Sequence, residues 1–422
     1  MSLAQPSIEP MPTPSNNKIL GIVFFTVFID LIGFGIIIPI QPFFARSLGA
    51  SPSVVTLLGA SFSLMQFLFT PFWGRLSDKI GRKPVMLASI SCNIVGYTLF
   101  AMSQNLYLLF FARALAGFGS ANIGAAQAII ADSTDHTNRA KGMGLIGAAF
   151  GLGFIFGPAI GGFLGQLGLA APAFMASFLC VLNLFFAYFF LPETFKPQST
   201  PTKSYPLFSW KAFKDAIQKP NIFKLFLMYF IFISAFSMME MVIGLFVESV
   251  WLPVSASLEK TSEHTKMAAK LTAYVLMTVG ITATIIQGGL IGRLTKRFGE
   301  KKLLTAGTAI VTLMLCLFPF IGNTGNFGLF LFSTLVMAIG TGMINPSFSS
   351  FLSKCVDSNE QGSVLGLGQS LAALGRVIGP SVAGLFFEMH RGLPLWIASA
   401  FVFVCFFVTL TLQQGDRNVK HV

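Results

Sequence analysis

The sequence predicts an all-α membrane protein, with twelve transmembrane helices in two pseudo-symmetric six-helix bundles. Three observations carry this reading. Of 422 residues, 54% are hydrophobic and 10% charged, with a mean hydropathy of +0.74, too little polar surface for a water-soluble globule of this size. Windows of about 19 residues pick out twelve apolar runs. Two motifs recur in the second half of the chain at a nearly constant offset.

In order, the runs cover residues 19–44, 54–76, 84–103, 105–131, 139–165, 172–191, 221–250, 267–292, 302–322, 326–353, 361–387 and 393–412. In the first, Asp30 is followed by Gly33, Gly35 and Pro39; because Pro39 has no N–H for the carbonyl of Gly35, a kink is expected there. The second and third are joined by a short charged turn, Gly74-Arg75-Leu76-Ser77-Asp78-Lys79-Ile80-Gly81-Arg82-Lys83-Pro84. The fourth carries Arg113, Gly117, Gly119, Asn122 and Gln127 and ends near Asp132. The fifth holds Gly151, Gly153, Gly157, Pro158, Gly161, Gly162 and Gly165, small residues that permit close approach of a helix across the two halves. Taken alone, a generic packing seam explains them as well.

The stretch 192–220 is the longest polar interruption, basic and rich in proline, and separates a bundle over 19–191 from one over 221–412. Within it Leu207, Phe208, Trp210, Phe213 and Ile217 alternate with lysines, as either a short amphipathic helix on the headgroups or a solvated tether would. In the second bundle, Gly292-Arg293-Leu294-Thr295-Lys296-Arg297-Phe298-Gly299 repeats the Gly74 motif 218 positions later, and Gly379-Pro380 repeats Gly157-Pro158 222 positions later. Such offsets point to duplication of a whole six-helix unit. Lys296 stands where Asp78 stands, so the second motif cannot play the same electrostatic role.

Of the 28 Lys and Arg, 21 fall in loops on one side and only Arg46, Lys260, Lys266, Lys270 and Arg391 in loops on the other. That bias predicts both termini in the cytoplasm, with tails at 1–18 and 413–422, and explains the net charge of +12 without nucleic acid. Residues 1–18 lack the short apolar core of a signal peptide. The five cysteines are scattered and read as small apolar fillers, with no metal site.

The Gly74–Pro84 stretch resembles the cytoplasmic loop between helices two and three of the major facilitator superfamily of transporters. The fifth run is similar to the Gly-x-x-x-Gly-Pro-x-x-Gly-Gly pattern of that family's antiporters, and the first to helix one of tetracycline/proton antiporters and tetracycline-transporter-like proteins. The resemblance covers the whole membrane region. It implies a major facilitator fold, a multi-pass protein of the cell (inner) membrane, and proton-coupled efflux of a small amphiphilic or drug-like solute. It further implies gating by Gly74, Asp78, Gly81, Arg82, Asp132, Gly157 and Pro158. In the family, the acid at Asp78 faces the N-terminus of helix eleven, the base at Arg82 pairs with an acid ending helix four, here Asp132, and the helix-four arginine, here Arg113, is tied to proton transfer. Asp78, Arg82 and Asp132 are expected to cluster only when the inner ends of the two bundles meet. Charges that merely set topology would look the same.

An unpaired charge at bilayer depth costs about 2.5–3.5 kcal/mol, so Asp30 needs a partner or a proton. Counting at 1.5 Å per residue puts Asp30 roughly 17 Å from the inner boundary and Arg113 roughly 12 Å from the outer one, similar depths in a core of about 30 Å. A pair is expected. By the same rise Glu240 and Arg376 fall roughly 24 and 22 Å from the cytoplasmic side, as a second proton or substrate-cation site or a structural pair. By resemblance, helices one, four, seven and ten line the cavity. Candidate contacts are Asn122, Gln127 and Asn345, with Gln66 and Gln287 on neighbouring helices and Phe34, Phe118, Phe232, Phe236 and Met239 as an adaptable apolar wall. Asn93 on helix three and a helix nine without acid depart from the tetracycline carriers, which have aspartates on both.

No cofactor is expected beyond the proton as coupling ion, and the partners expected are lipids and a small solute, with the protein working as a monomer. The main alternative is an uptake symporter or uniporter on the same scaffold. A non-transporting receptor would normally carry a sizeable soluble domain, and an enzyme would need catalytic clusters that four histidines and no phosphate loop do not supply.

Overall fold

The computed structural model describes residues 16–134, 139–195, 220–252, 262–356 and 361–413. Residues 1–15 and 414–422 of the expected tails and the stretch from 196 to 219, with its candidate amphipathic helix, lie outside them; residues 16–18 belong to the first helix rather than to a tail. Among the described residues there is no strand, and eleven helices are long and apolar enough to cross a membrane. The twelfth, fifth in chain order, is the helix Arg139–Leu164.

Span one is Asn16–Ile37, and the chain then turns and restarts as Gln41–Ser47. Pro39 does more than kink the run. Together with Pro42 at the start of the second piece, it leaves too few backbone donors to carry the helix through. Span two is Pro52–Ile80 and span three Arg82–Ala101, with only Gly81 between them. The charged stretch that reads as a loop is therefore mostly the last two turns of span two. Gly81 has φ +106°, a conformation side chains rarely adopt, and Gly299 repeats it at +78° between spans eight and nine.

Span four is Leu106–Gly119, a short 3₁₀ turn and Ile123–Ser133; span six is Ala171–Phe190. Span seven is Pro220–Trp251, and span eight runs from Ser262 to Phe298 through a π-helical stretch, Ile285–Leu290. Spans nine to twelve are Glu300–Asn323, Phe327–Lys354, Gln361–Met389 and Leu393–Leu410.

Two hydrophobic cores follow the duplication. One is built from Ile19 to Leu191 with Leu245 added, the other from Ile222 to Leu412. A small third cluster, Phe43 with Ala268 and Ala269, joins the halves. Large apolar side chains such as Phe163, Phe189 and Phe332 are exposed on the outside, where the bilayer would cover them.

The glycines of span five do something other than expected. Gly153, Gly157 and Gly161 face span one of the same half: a Cβ on Gly157 would lie 2.6 Å from the Cα of Gly35, and one on Gly35 2.8 Å from the carbonyl of Gly153. Gly151, Gly162 and Gly165 turn to the other half, toward Thr284, Ala273 and Ala269 of span eight. The second half repeats this arrangement 222 positions on. Gly375 and Gly379 seat span seven against span eleven, and Gly384 meets Ser53 and Thr56 of span two across the halves. The seam between halves is thus two crossed helix pairs, spans five with eight and two with eleven.

Candidate functional site

Polar contacts tie the halves together at one end. Arg46, after span one, pairs with buried Glu248 of span seven at 2.9 Å, and His264 Nδ1 of span eight lies 3.9 Å from the same carboxylate. The backbone N–H of Ser53, in the first turn of span two, donates to Glu388 Oε1 at the far end of span eleven, 3.0 Å away. Both of these contacts cross between the halves. At the opposite end Gly288, Gly289 and Gly292 of span eight have no neighbour within 4 Å of a would-be Cβ and stand exposed. The structure is closed at the Arg46 end and open at the Arg82 end.

The charged motif forms its cluster regardless. Arg82 donates from Nε to Asp132 Oδ2 at 3.1 Å and from Nη1 to Ser77 Oγ at 2.7 Å, and also pairs with Asp78. All of these residues belong to the first half, so closure of the two halves is not needed to assemble them. The reason is local: Gly81 folds span three back beside the end of span two, and span four ends next to both. Asp78 remains largely exposed, free on the side away from Arg82. Glu193, just after span six, accepts from the N–H groups of Arg82 and Lys83 at 2.9 and 3.1 Å and so caps span three. It was not among the residues the sequence singled out.

The second half contains a charge-reversed counterpart. Glu300 opens span nine where Arg82 opens span three; it pairs with Lys354 at the end of span ten and accepts from Ser350 Oγ at 2.8 Å. Reading only Lys296 against Asp78 hides this, because the exchange of signs lies four residues further on and at the end of another helix.

Asp30 is buried, and its partner is not Arg113. Asn122 Nδ2 of span four donates to one oxygen at 3.1 Å, and Asn183 Nδ2 of span six to the other at 3.0 Å. Arg113 instead lies 4.4 Å over the ring of Phe62, with its Nε and Nη1 buried and without a hydrogen-bond partner. Asn122 lies nine positions, roughly 13 Å, further along span four than Arg113 and about half a turn round from it. Depths counted inward from opposite faces of a 30 Å core miss this, because span four, from Leu106 to Ser133, is longer than that core. Tyr97 is within electrostatic reach of both groups, and its hydroxyl stops short of a hydrogen bond with Ser120.

Glu240 and Arg376 do face each other electrostatically, both half-buried, with no direct ion pair between them. Of the expected pocket residues, several belong elsewhere. Asn122 is taken by Asp30 and Ser89; Phe232 and Met239 are buried in the second core, their span wrapped by its neighbours; Phe118 packs among Phe69, Phe72 and Trp73 between spans two and four. Phe34 is half-buried against Phe62, and Phe236 half-buried beside Phe232. Gln66 is half-buried and donates to the Ser120 carbonyl at 3.1 Å, while Gln127 and Gln287 are half-buried on spans four and eight. Asn345 keeps a buried Oδ1 without a partner.

The model of the Major Facilitator Superfamily matches residues 23–380 and 249–420. The chain belongs to that family. It is 30% identical over 398 residues to the class C tetracycline resistance protein of Escherichia coli, covering 93% of this chain and 96% of that one. To multidrug resistance protein 2 of Bacillus subtilis it is 27% identical over 406 residues, covering 95% and 97%. Its fold matches the human organic anion transporter MFSD10 (TETRAN) with a TM-score of 0.68 at 22% identity, over 94% of this chain and all of that one. As a member of this family the chain is a multi-pass membrane transporter rather than an enzyme.

Proposed function

We propose that the protein is a proton-coupled exporter, exchanging protons for a small amphiphilic or drug-like solute by alternating access. The observation that carries this is Asp30, a buried carboxylate at mid-span with no cationic partner among the described residues, in a conformation open at one end. The similarity to tetracycline and multidrug resistance proteins supports export of such solutes. The excess of Lys and Arg supports placing the Arg82 end and both termini in the cytoplasm, so this conformation is inward-open. A potential of about 100 mV is worth about 2.3 kcal/mol per charge, so one titrating carboxylate suffices for a gradient of about fifty-fold.

Inverted vesicles with an imposed pH gradient test the reading on tetracycline, a quinolone, a lipophilic cation, a neutral amphiphile and an organic anion. Proton-driven accumulation of any of them supports export. Transport in which protons and solute move in the same direction would make the protein a symporter instead.

Glu240 is assigned to cationic cargo. At about 4 Å and an effective dielectric of about 20, a carboxylate attracts a cation by roughly 4 kcal/mol, an interaction a neutral solute does not have. Glu240→Gln is expected to cut transport of the cationic member of a substrate series about tenfold or more and leave a neutral member nearly unchanged. Equal loss on both would make Glu240 structural.

Asp78 is assigned to the other end of the cycle. When the Arg82 end closes, its exposed carboxylate can meet the positive N-terminal end of span eleven, as Glu388 now meets that of span two. Asp78→Asn is expected to raise the inward-open population several-fold, read as longer spin-label distances across the Arg82 face. Unchanged distances would remove Asp78 from gating.

A further inference from the structure

Asp30 sits in a clamp whose polarity is fixed. Asn183 Nδ2 has two hydrogens and two acceptors, Asp30 Oδ1 at 3.0 Å and the Thr26 carbonyl at 2.9 Å. Turning this amide over would set its oxygen against that carbonyl. Its own Oδ1 remains buried without a partner, a cost tolerated because the donors are needed on the other side. Asn122 is held similarly: its Nδ2 donates to Asp30 Oδ2 at 3.1 Å and to Ser89 Oγ at 2.8 Å, and the Ser89 hydroxyl donates in turn to the Met86 carbonyl at 2.9 Å. This second arm is softer, since the serine hydroxyl can rotate.

Both carboxylate oxygens therefore receive an amide N–H, and neither amide offers an acceptor. A carboxylate satisfies the clamp. A carboxylic acid fits it less well, because its hydroxyl oxygen is a poorer acceptor and its O–H finds no acceptor turned toward it on either amide, so the clamp weakens. The clamp also ties span one to spans four and six, so whether it is closed bears on how the first half is held together. The other titratable groups facing Asp30 are Tyr97 of span three and Cys180 of span six, with Arg113 beyond Tyr97; none of them is hydrogen-bonded to it.

We infer that Asn183 and Asn122 are positioning residues that hold the empty carrier, with Asp30 ionised, in the conformation open at the Arg82 end. This rests on the reading of Asp30 as the proton carrier. When the proton leaves Asp30 for water in the open cavity, the clamp closes and the empty, ionised carrier stays where it is. Rebinding of a proton, or arrival of substrate, opens the clamp and frees the transition. An exchanger needs such a lock, because a carrier that crosses empty lets the gradient run down.

The test is the pH dependence of conformation, read by spin-label distances across both ends of the purified, reconstituted protein. In the wild type, the population open at the Arg82 end rises with pH through a midpoint. Asn183→Leu, close in shape and without donors, makes protonation easier and is expected to move that midpoint up by about one pH unit, a tenfold change of the size a hydrogen bond to a charged group supplies. Asn122→Leu is expected to move it in the same direction by less. In an Asp30→Asn background the curve is flat and neither substitution changes it. A midpoint unmoved by both leucine variants, with Asp30→Asn flat, overturns the clamp and leaves the proton reading standing. A pH response that survives in Asp30→Asn overturns the proton reading itself. Should Asn183→Leu fail to accumulate as folded protein, Asn183→Ser and Asn122→Leu carry the same comparison.

Discussion

Replacing Asp30 with Asn will abolish pH-driven, uphill transport while leaving downhill exchange of substrate measurable. The variant keeps a polar side chain of the same size between Asn122 and Asn183, so the fold should survive, but the proton has no place to bind. Uncoupling is total in this account, because substrate can no longer exchange against a proton. Reconstituted vesicles separate the two activities: accumulation against a gradient under an imposed pH difference should fall to background, and exchange of labelled for unlabelled substrate should persist. Accumulation retained by the variant would move the proton site elsewhere, with Glu240 next in line.

The second large effect is on folding. Gly157 and Gly35 bring two helices to backbone contact, and a Cβ on Gly157 would lie 2.6 Å from the Gly35 Cα and 3.0 Å from the Ile32 carbonyl. Backbone cannot yield as a side chain does, so Gly157→Val must force spans one and five apart. The cost is on the order of 3 kcal/mol, in a seam where close packing takes the place of the hydrophobic effect. Loss of most folded protein, or a large drop in melting temperature in detergent, is the expected result. Gly292→Ala, at an exposed site with nothing within 4 Å, should melt like the wild type. Equal behaviour of the two would remove the seam from the account.

What the sequence made legible was what depends on length, sign and repetition. Apolar runs gave the spans because a bilayer demands about 20 apolar residues whatever the rest of the fold does. The offset of 222 from Gly157 to Gly379 proved to be a repeat of packing as well, with Gly153 and Gly375, and Gly162 and Gly384, following it. The link from Arg82 to Asp132, which the resemblance to the family implies, is present as well.

What stayed hidden depends on the angle at which a helix presents its side chains. Arg113 and Asn122 lie on one span, and depth alone chose the wrong one for Asp30. Asn183 carried no signal, being a single amide in an aromatic-rich helix. Phe232 and Met239 look like pocket residues by type and are core by facing. Glu388 and Glu300 became meaningful only once the partner helix end, Ser53 in one case and Lys354 in the other, was seen beside them.

The central claim is that substrate and proton compete through Asp30, and substrate-evoked proton release measures this most directly. Purified protein in a weakly buffered detergent solution, held near the midpoint of its conformational response, is mixed with a transported probe such as tetracycline or a quinolone while a pH indicator is followed. The wild type should release a sizeable fraction of one proton per probe bound, and Asp30→Asn should bind the probe and release none. Undiminished release from Asp30→Asn, or binding to the wild type without any release, would contradict the account.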